Sequence, residues 1–580
     1  MTDPTTPEAT SAAASAVAAT PPTENGQPRK LHGRAFYESI GSPKYVVAPM
    51  VDQSEFAWRL LTRSFLAPEQ RKSVLAYSPM LHARLFVDSP RYRASHFEAI
   101  KGVDIGEVPK DATGDDIKPF LDGNPAIDRP LFVQFCANDP DALLGAAKRV
   151  APYCDAVDLN LGCPQGIARK GHYGAFLQEE PELIVKLIRT LHENLDVPVT
   201  AKIRILDTPE ASLMYAKKVL AAGASILTIH GRRRDQKGHM TGIANWKMLK
   251  YLRDNLPPET VLFANGNILQ QKDVDRCLEA TGFDGVMSAE GLLSDPALFV
   301  APPTEEEQAA EAPVTNPADA ECYWHTPDPR REYWRSARNS KRGGWRIDAV
   351  MRRYLDILHV YCLGKTTPPT RRPLFIAGDS TEWLKEEDAP LVPQQQDGEP
   401  ARKKRKRDDN SKSKNADKNG ASAAPSIPKE TLSSPNFVSV QGHLFHLLRH
   451  AVAKHHDIRD ALARSRKGDI EAYERILAVL EKRIAHALAA GEDEEVVEGE
   501  QEWDEDNDEI ADDADSSAAA VRRCKRPWWV VQPILRPMPA EALAKGAIQL
   551  KKKVVEELEK EKEQATEAAV EEKKAELTTA

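Results

Sequence analysis

Asp158-Leu-Asn-Leu-Gly-Cys-Pro-Gln-Gly-Ile-Ala-Arg-Lys-Gly-His-Tyr-Gly-Ala-Phe-Leu177 breaks an apolar run with a cysteine set between glycine and proline. The run, Ala156 to Leu161, reads as a buried strand, and the chain must leave the sheet at Gly162-Cys163-Pro164. Pro164 bars Cys163 from helical backbone, and the glycines at 162, 166, 171 and 174 permit turns and the close approach of a ligand. A cysteine therefore stands at the C-terminal end of a strand. Parallel α/β folds carry their chemistry there, on loops held still by the strands beneath.

Working outward, the same alternation recurs eight times. Short apolar segments at Tyr45–Ala48, Val74–Tyr77, Leu131–Phe135, Ala156–Leu159, Val199–Ile203, Ser225–Ile229, Val261–Ala264 and Gly285–Ser288 read as strands. Helix-like stretches separate most of them, among them Ser54–Phe65, Pro140–Val150, Pro181–Leu195, Pro209–Ala222 and Leu269–Thr281. Eight strand-plus-helix units over residues 41–300 predict an α/β fold of the (β/α)8, or TIM-barrel, type. A doubly wound sheet is the alternative, but its usual strand count leaves two segments unplaced. A polar excursion, Gly102 to Asp128, reads as a loop or small hairpin at the barrel's rim.

Outside the barrel the pattern changes. Residues 1–40 are expected to be disordered and 301–344 to be a linker. Helical periodicity over 345–365 and 435–490 predicts one small helical domain, interrupted by a disordered basic insertion, 366–434. That insertion carries Arg402-Lys-Lys-Arg-Lys-Arg407, a candidate nuclear import run, so the expected location is cytoplasm, nucleus or both. Residues 491–525 read as acidic and disordered, 526–540, with Pro527-Trp-Trp-Val-Val-Gln-Pro533, as a docking segment, and 541–580 as an exposed charged helix.

The net charge of −9 over 580 residues is misleading until it is located. Between Gly491 and Asp515 there are fifteen Asp/Glu and no Lys/Arg, so the rest of the chain sums to +6 and can meet a polyanion. Seven scattered cysteines do not form a disulfide framework, which points to a reducing compartment. No apolar run approaches the ~20 residues of a membrane helix, so no membrane association is expected. No metal-ligand spacing is present either.

The residues just after the predicted strands have more in common than packing requires. They are Pro49-Met50-Val51, Gln134 on the third strand, Asn160 and Cys163 after the fourth, and Lys202 and Arg204 on the fifth. The sixth ends in His230-Gly231-Arg232, the seventh in Asn265-Gly266-Asn267 and the eighth in Ala289-Glu290-Gly291. Cations, amides and backbone-exposing glycines converge on one mouth, which implies an anionic ligand. Lys202 stands among apolar neighbours where an unpaired ammonium is costly, a structural salt bridge being the alternative. Glycine turns after the seventh and eighth strands suit a phosphate.

Asp158-Leu-Asn-Leu-Gly-Cys-Pro164, with Ala48-Pro-Met-Val51, Ala201-Lys-Ile-Arg204, Thr228-Ile-His-Gly-Arg232 and Asn265-Gly-Asn267, resembles the tRNA-dihydrouridine synthases. The Gly162–Leu177 form resembles the eukaryotic branch acting on D-loop positions 16 and 17. The resemblance covers Lys44 to Ser294 closely and the helical pieces and Pro527–Pro533 loosely. It implies an FMN-dependent barrel that uses NADPH or NADH to reduce the C5–C6 bond of uridine in tRNA, with the helical domain gripping the tRNA. Pro49, Met50 and Val51 would pack on the flavin, and Gln134, Lys202 and His230 would contact it. Asn265, Gly266, Asn267, Ala289 and Glu290 would hold its phosphate. Asn160, Arg204 and Arg232 would meet the substrate, and Cys163 would act as general acid at C5, since ordinary thiols, with a pKa of about 8.5, are mostly protonated at neutral pH. No obligate protein partner is implied, and a monomer is expected.

Two other functions fit parts of the pattern. A flavin barrel reducing a free pyrimidine needs no basic helical module. A non-catalytic RNA-binding protein on the same barrel needs no Cys163, Lys202 and His230 together.

Overall fold

The computed structural model describes residues 30–108, 117–310, 328–337, 342–388, 390–391, 433–492, 525–534, 536, 538–544 and 546. Nine parallel strands form one sheet: β1 Tyr45–Val47, β2 Val74–Tyr77, β3 Leu81–His82, β4 Leu131–Cys136, β5 Ala156–Asn160, β6 Val199–Arg204, β7 Ile226–His230, β8 Val261–Asn265 and β9 Gly285–Ser288. β2 pairs with both β1 and β4, and β1 with β9, so eight strands close into a barrel. All eight predicted strands are present within a residue or two at either end. The two-residue β3, which the sequence reading did not anticipate, extends the edge of β4 beyond β2.

The helices follow from patterning. Over Pro181–Asn194 the buried residues Ile184, Leu187, Ile188 and Leu191 recur at one face, and Pro181 starts the helix where its missing N–H costs nothing. Pro140–Val150 begins with Asp139, whose carboxylate accepts from the N–H groups of Asp141 and Ala142. Strand residues are buried on both faces, as a barrel wrapped in helices requires.

Disorder was expected through residue 40, but Gly33–Ser39 is a helix that closes the N-terminal end of the barrel. Phe36 stacks on Phe132 with ring centroids 5.8 Å apart, Tyr37 meets Phe263 at 5.9 Å, and the Tyr37 hydroxyl donates to the carbonyls of Pro43 and Asp284. The polar excursion is held at that same end, not at the mouth. Buried Arg59 binds Asp122 at 2.8 Å and Asp128, and Arg63 binds Asp128 at 2.9 Å while donating to the carbonyls of Val74 and Pro130, where β2 and β4 begin. Arg59 and Arg63 come four residues apart on the helix Phe56–Ser64, one turn above each other.

The helical domain packs on the outer face of that helix. Ile347–Ile357, Val440–Leu447, His456–Arg464 and Ile470–Ala489 share a core with Phe56, Trp58, Leu60 and Leu61. Two expected boundaries change. Inside the expected linker, Tyr333–Arg335 and Gly343–Trp345 form an antiparallel pair, and Glu305–Ala309 is a helix with a Thr304/Glu307 capping box. Inside the expected insertion, residues 366–388 pack on the helical domain: Phe375 and Leu384 are buried, and Arg371 binds Glu474 and Asp356. The aromatic segment docks by Trp529, Val530 and Val531, with Val530 bridged to Arg346 and Trp529 edge-on to Trp334.

The basic run 402–407, residues 493–524 of the acidic tract and residues 547–580 of the expected C-terminal helix lie outside the described residues. Among the described residues no helix is long and apolar enough to cross a membrane.

Candidate active site

Register brings the predicted residues into one ring. Asn160 on β5 is the neighbour of Lys202 on β6, Arg204 of His230 on β7, and His230 of Asn265 on β8. At the end of β5 the Asn160 side-chain oxygen accepts from the N–H groups of Gly162 at 3.1 Å and Cys163 at 2.9 Å. Cys163 is thereby fixed on a short turn, with its side chain partly exposed. Its carbonyl accepts from the Ala175 N–H, and position 174 requires glycine, since its φ of 69° is left-handed and a Cβ there would lie 2.8 Å from that carbonyl oxygen. Gly174 thus lets the string fold back against the cysteine.

Beneath Cys163 runs a buried amide chain. Asn160 donates to Gln134 Oε1 at 2.7 Å, Gln134 donates to Asp158 Oδ2 at 2.8 Å, and Thr200 donates to Asp158 Oδ1 at 2.7 Å. Burial pushes the Asp158 carboxyl up to about 6. The Asn160 oxygen and one of its two amide N–H donors are therefore used inside the protein, so this residue, expected at the substrate edge, also positions the Cys163 turn.

Lys202 makes no hydrogen bond or ion pair among the described residues, so the salt bridge weighed from sequence is not formed. Burial, then the neighbouring Arg204, lowers its ammonium to about 7. An ammonium in this state lacks an electron-rich partner. Arg204 and Arg232, expected to face substrate, are largely used within the protein. Arg204 donates to the carbonyls of Gly162 at 2.7 Å and Arg233 at 2.9 Å, tying the loop after β5 to the loop after β7. Arg232 donates to the Gly242 carbonyl at 2.8 Å, to Asn267 Oδ1 at 2.6 Å and to His230 Nε2 at 3.1 Å. Accepting from Arg232 keeps His230 unprotonated on Nε2, and burial with three nearby cations holds its pKa well below the usual value.

At the ends of β8 and β9 the backbone is laid open. Gly266 has φ 113° and Asn267 φ 64°. A Cβ on Gly266 would meet Ala244 at 2.7 Å. Among the described residues no acceptor meets the N–H groups of Gly266 or Asn267, and an anion's oxygens would satisfy them. Gly291 allows close packing, since a Cβ there would lie 2.5 Å from the Ile268 carbonyl oxygen. Ala289 stands beside this turn, but the Glu290 carboxylate is turned to Arg536 at 2.8 Å. Pro49-Met50-Val51 follows β1, with the Met50 N–H held by Ser54 Oγ at 3.0 Å and Val51 54% exposed, an apolar lip over the mouth. An unpaired lysine, open backbone donors and an apolar lip fit a flat, phosphate-bearing ring cofactor.

Sequence reasoning passed over two groups. Tyr173, inside the opening string, lies edge-on to His82 at 5.8 Å and packs with Cys136, Met80, Phe176 and Cys163. Burial raises the Cys136 thiol to about 12, which makes it an inert wall. Beside this wall a cavity of ≈ 330 Å³ is lined by Arg169, Phe176, Glu179, Arg234, Asp235 and Lys237. Their spacing across two loops gave no local pattern to read.

Residues 46–326 match the family described as Dihydrouridine synthase (Dus). The chain is 38% identical over 518 residues to the tRNA-dihydrouridine(16/17) synthase [NAD(P)(+)] of Schizosaccharomyces pombe, covering 89% of this chain and 94% of that protein. It is 58% identical over 275 residues to the Saccharomyces cerevisiae protein of the same name, covering 47% of this chain and 58% of that one. Against the tRNA-dihydrouridine(16/17) synthase [NAD(P)(+)]-like protein of Mus musculus it is 46% identical over 273 residues, covering 47% and 50%. The alignment thus spans somewhat more than half of the budding-yeast relative, half of the mouse one and nearly all of the fission-yeast one. A closed parallel barrel with these residues at its mouth, and an alignment along nearly the whole fission-yeast protein, establish that this chain belongs to the dihydrouridine synthase family of oxidoreductases.

Proposed function

We propose that this chain reduces uridines 16 and 17 of the tRNA D loop to 5,6-dihydrouridine, with FMN in the barrel mouth and NADPH or NADH as reductant. The observation that carries the reading is the partly exposed Cys163, held by Asn160 on the same rim as the unpaired Lys202. Held there, FMN would supply the hydride chemistry at uracil C6, with the nicotinamide as the source of the electrons.

Hydride addition at C6 places negative charge on C5 and O4, and Cys163 gives C5 its proton. The balance is one hydride from the nicotinamide and one proton from the thiol, which solvent restores. Lys202 would hold the ring as a cation, and Gly266 and Asn267 would hold the phosphate through their N–H groups. Asn160 and Arg204 keep the Cys163 turn at a fixed height above the mouth. Tyr173 and the Met50–Val51 lip keep water from the reacting bond. The target uridine must leave its stack to arrive here. Arg449, Arg464 and Lys467, exposed on the helical domain, suit the backbone of the tRNA that carries it.

The test is incubation of the protein with NADPH and unmodified tRNA, followed by mass-spectrometric mapping of uridines that gain two hydrogens, with Cys163→Ala alongside. Gain at 16 or 17, greatly slowed in the variant, supports the reading. A flavin-loaded protein that leaves every tRNA uridine unchanged rejects the substrate and turns attention to free pyrimidines.

A further inference from the structure

We propose that Arg536, from the C-terminal segment beyond the helical domain, is a positioning residue for the cofactor's phosphate and acts by neutralising Glu290. The inference rests on the flavin reading above. Glu290 follows β9 by two residues, on the rim that also carries the open N–H groups of Gly266 and Asn267. A carboxylate on that rim opposes a phosphate dianion. Arg536 removes the conflict: its Nε donates to both Glu290 oxygens, at 2.8 and 2.9 Å.

The pairing belongs to a connected structure. Arg536 also reaches the Gly238 carbonyl at 3.5 Å, and the short helix Pro539–Ala544 packs on the turn Gly238–Met240. The Pro539 ring lies against Gly242, whose carbonyl accepts from Arg232, and Arg232 holds the Asn267 side chain at 2.6 Å. The C-terminal segment therefore braces, through one loop, the same Asn267 whose N–H meets no acceptor among the described residues. Glu290 and Arg536 both act electrostatically on Arg232. Freed of Arg536, Glu290 would compete with the phosphate for that field.

Side chains 49% and 32% exposed contribute little to folding as an ion pair, so a variant at Arg536 will fold. Their effect lies in the field at the mouth, and salt will screen it.

The experiment uses the full chain, stripped of flavin and titrated by quenching of flavin fluorescence, with FMN and with riboflavin as the probe that lacks the phosphate. Arg536→Ala is expected to weaken FMN binding roughly 5- to 20-fold at low salt and to leave riboflavin within about twofold. The double variant Glu290→Gln/Arg536→Ala should return FMN affinity to within about threefold of Glu290→Gln alone. Equal weakening of both flavins, unchanged FMN affinity in Arg536→Ala, or no rescue by Glu290→Gln overturns the proposal. A wild-type protein that binds FMN no more tightly than riboflavin overturns it while sparing the flavin reading, and one that binds neither overturns both.

Discussion

The Asn160 side-chain oxygen accepts from the Cys163 backbone N–H at 2.9 Å, so the height of the thiol above the barrel is set from the strand beneath it. The same oxygen takes the Gly162 N–H, and the Asn160 amide nitrogen is anchored on Gln134. Asn160→Ala leaves two backbone donors and one Gln134 acceptor without partners, a cost of about 1–3 kcal/mol in stability. The larger effect is on chemistry: a displaced acid slows the step by about 100-fold. Single-turnover dihydrouridine formation should fall by that order while flavin content stays normal. Wild-type turnover in Asn160→Ala would show that the turn holds itself.

Lys202 yields a pH-dependent stability. Its folded pKa, about 7, lies below its unfolded value, so between the two the unfolded chain binds more protons and stability rises with pH. The burden of a charged Lys202 is full below about pH 7 and is relieved as pH climbs toward its ordinary value of 10.5. Flavin-free Lys202→Met should therefore melt higher than wild type near neutral pH, with the gap closing as pH rises, and should bind FMN more weakly. A constant gap across that range would mean Lys202 already has a partner in the free protein.

How much of this was legible follows from where the determinants lie along the chain. Barrel strands announce themselves in short, mostly apolar segments, and helices such as Pro181–Asn194 in the spacing of Ile184, Leu187, Ile188 and Leu191. Cys163, Lys202 and His230 were readable because each stands at a strand end, where its type is unexpected for packing. The helix Gly33–Ser39 was hidden by the Ala/Thr/Pro-rich sequence before it and by a length of seven residues, too short for periodicity. Phe375 and Leu384 were overlooked because the apolar runs that carry them, Leu374–Ala377 and Trp383-Leu384, are too short to show a period. Arg204 and Arg232 look like ligand cations in a sequence, whereas their carbonyl partners come from loops that only the folded barrel brings near. Glu290 and Arg536, 246 residues apart, share no local pattern at all.

Glu98 sits where the barrel meets the helical domain and makes that contact sensitive to pH. Ser434 Oγ donates to it at 2.5 Å and Asn436 Nδ2 at 3.1 Å, while Asn436 Oδ1 accepts from the Ala57 N–H. Burial, with Asp122 nearby, raises its carboxyl to about 7. The folded state then holds a proton that the unfolded state releases above its ordinary value of 4.5. That contribution to stability is complete below the ordinary value and disappears as pH rises through about 7. Melting of wild type and Glu98→Gln at about pH 5.5 and 8.0 should favour the variant progressively at the higher pH. Parallel curves would remove Glu98 from the account.

The same junction contains a fully buried pair, and it supplies the strongest test of whether the helical domain is fixed to the barrel. His443 Nε2 lies 3.0 Å from both oxygens of Glu55, its ring stacks on Trp58 at 3.8 Å with 4° between the planes, and the Tyr354 hydroxyl donates to Glu55 at 3.3 Å. Three side chains from three separate helices thus close around one fully buried carboxylate. His443→Ala removes its main partner and opens a void against Trp58, and breaking such a pair costs about 3–5 kcal/mol. Replacing both members, Glu55→Met/His443→Leu, costs less than the single change because no charge is left unpaired. Urea unfolding should rank wild type first, the double variant second and His443→Ala last. The helix Phe56–Ser64, which carries Trp58, follows the Met50–Val51 lip directly, so loosened docking should raise the KM for tRNA while flavin content is retained. A His443→Ala protein as stable as wild type, with unchanged KM, would mean that the apolar contacts of Trp58, Tyr354 and Leu444 hold the two domains together without the pair.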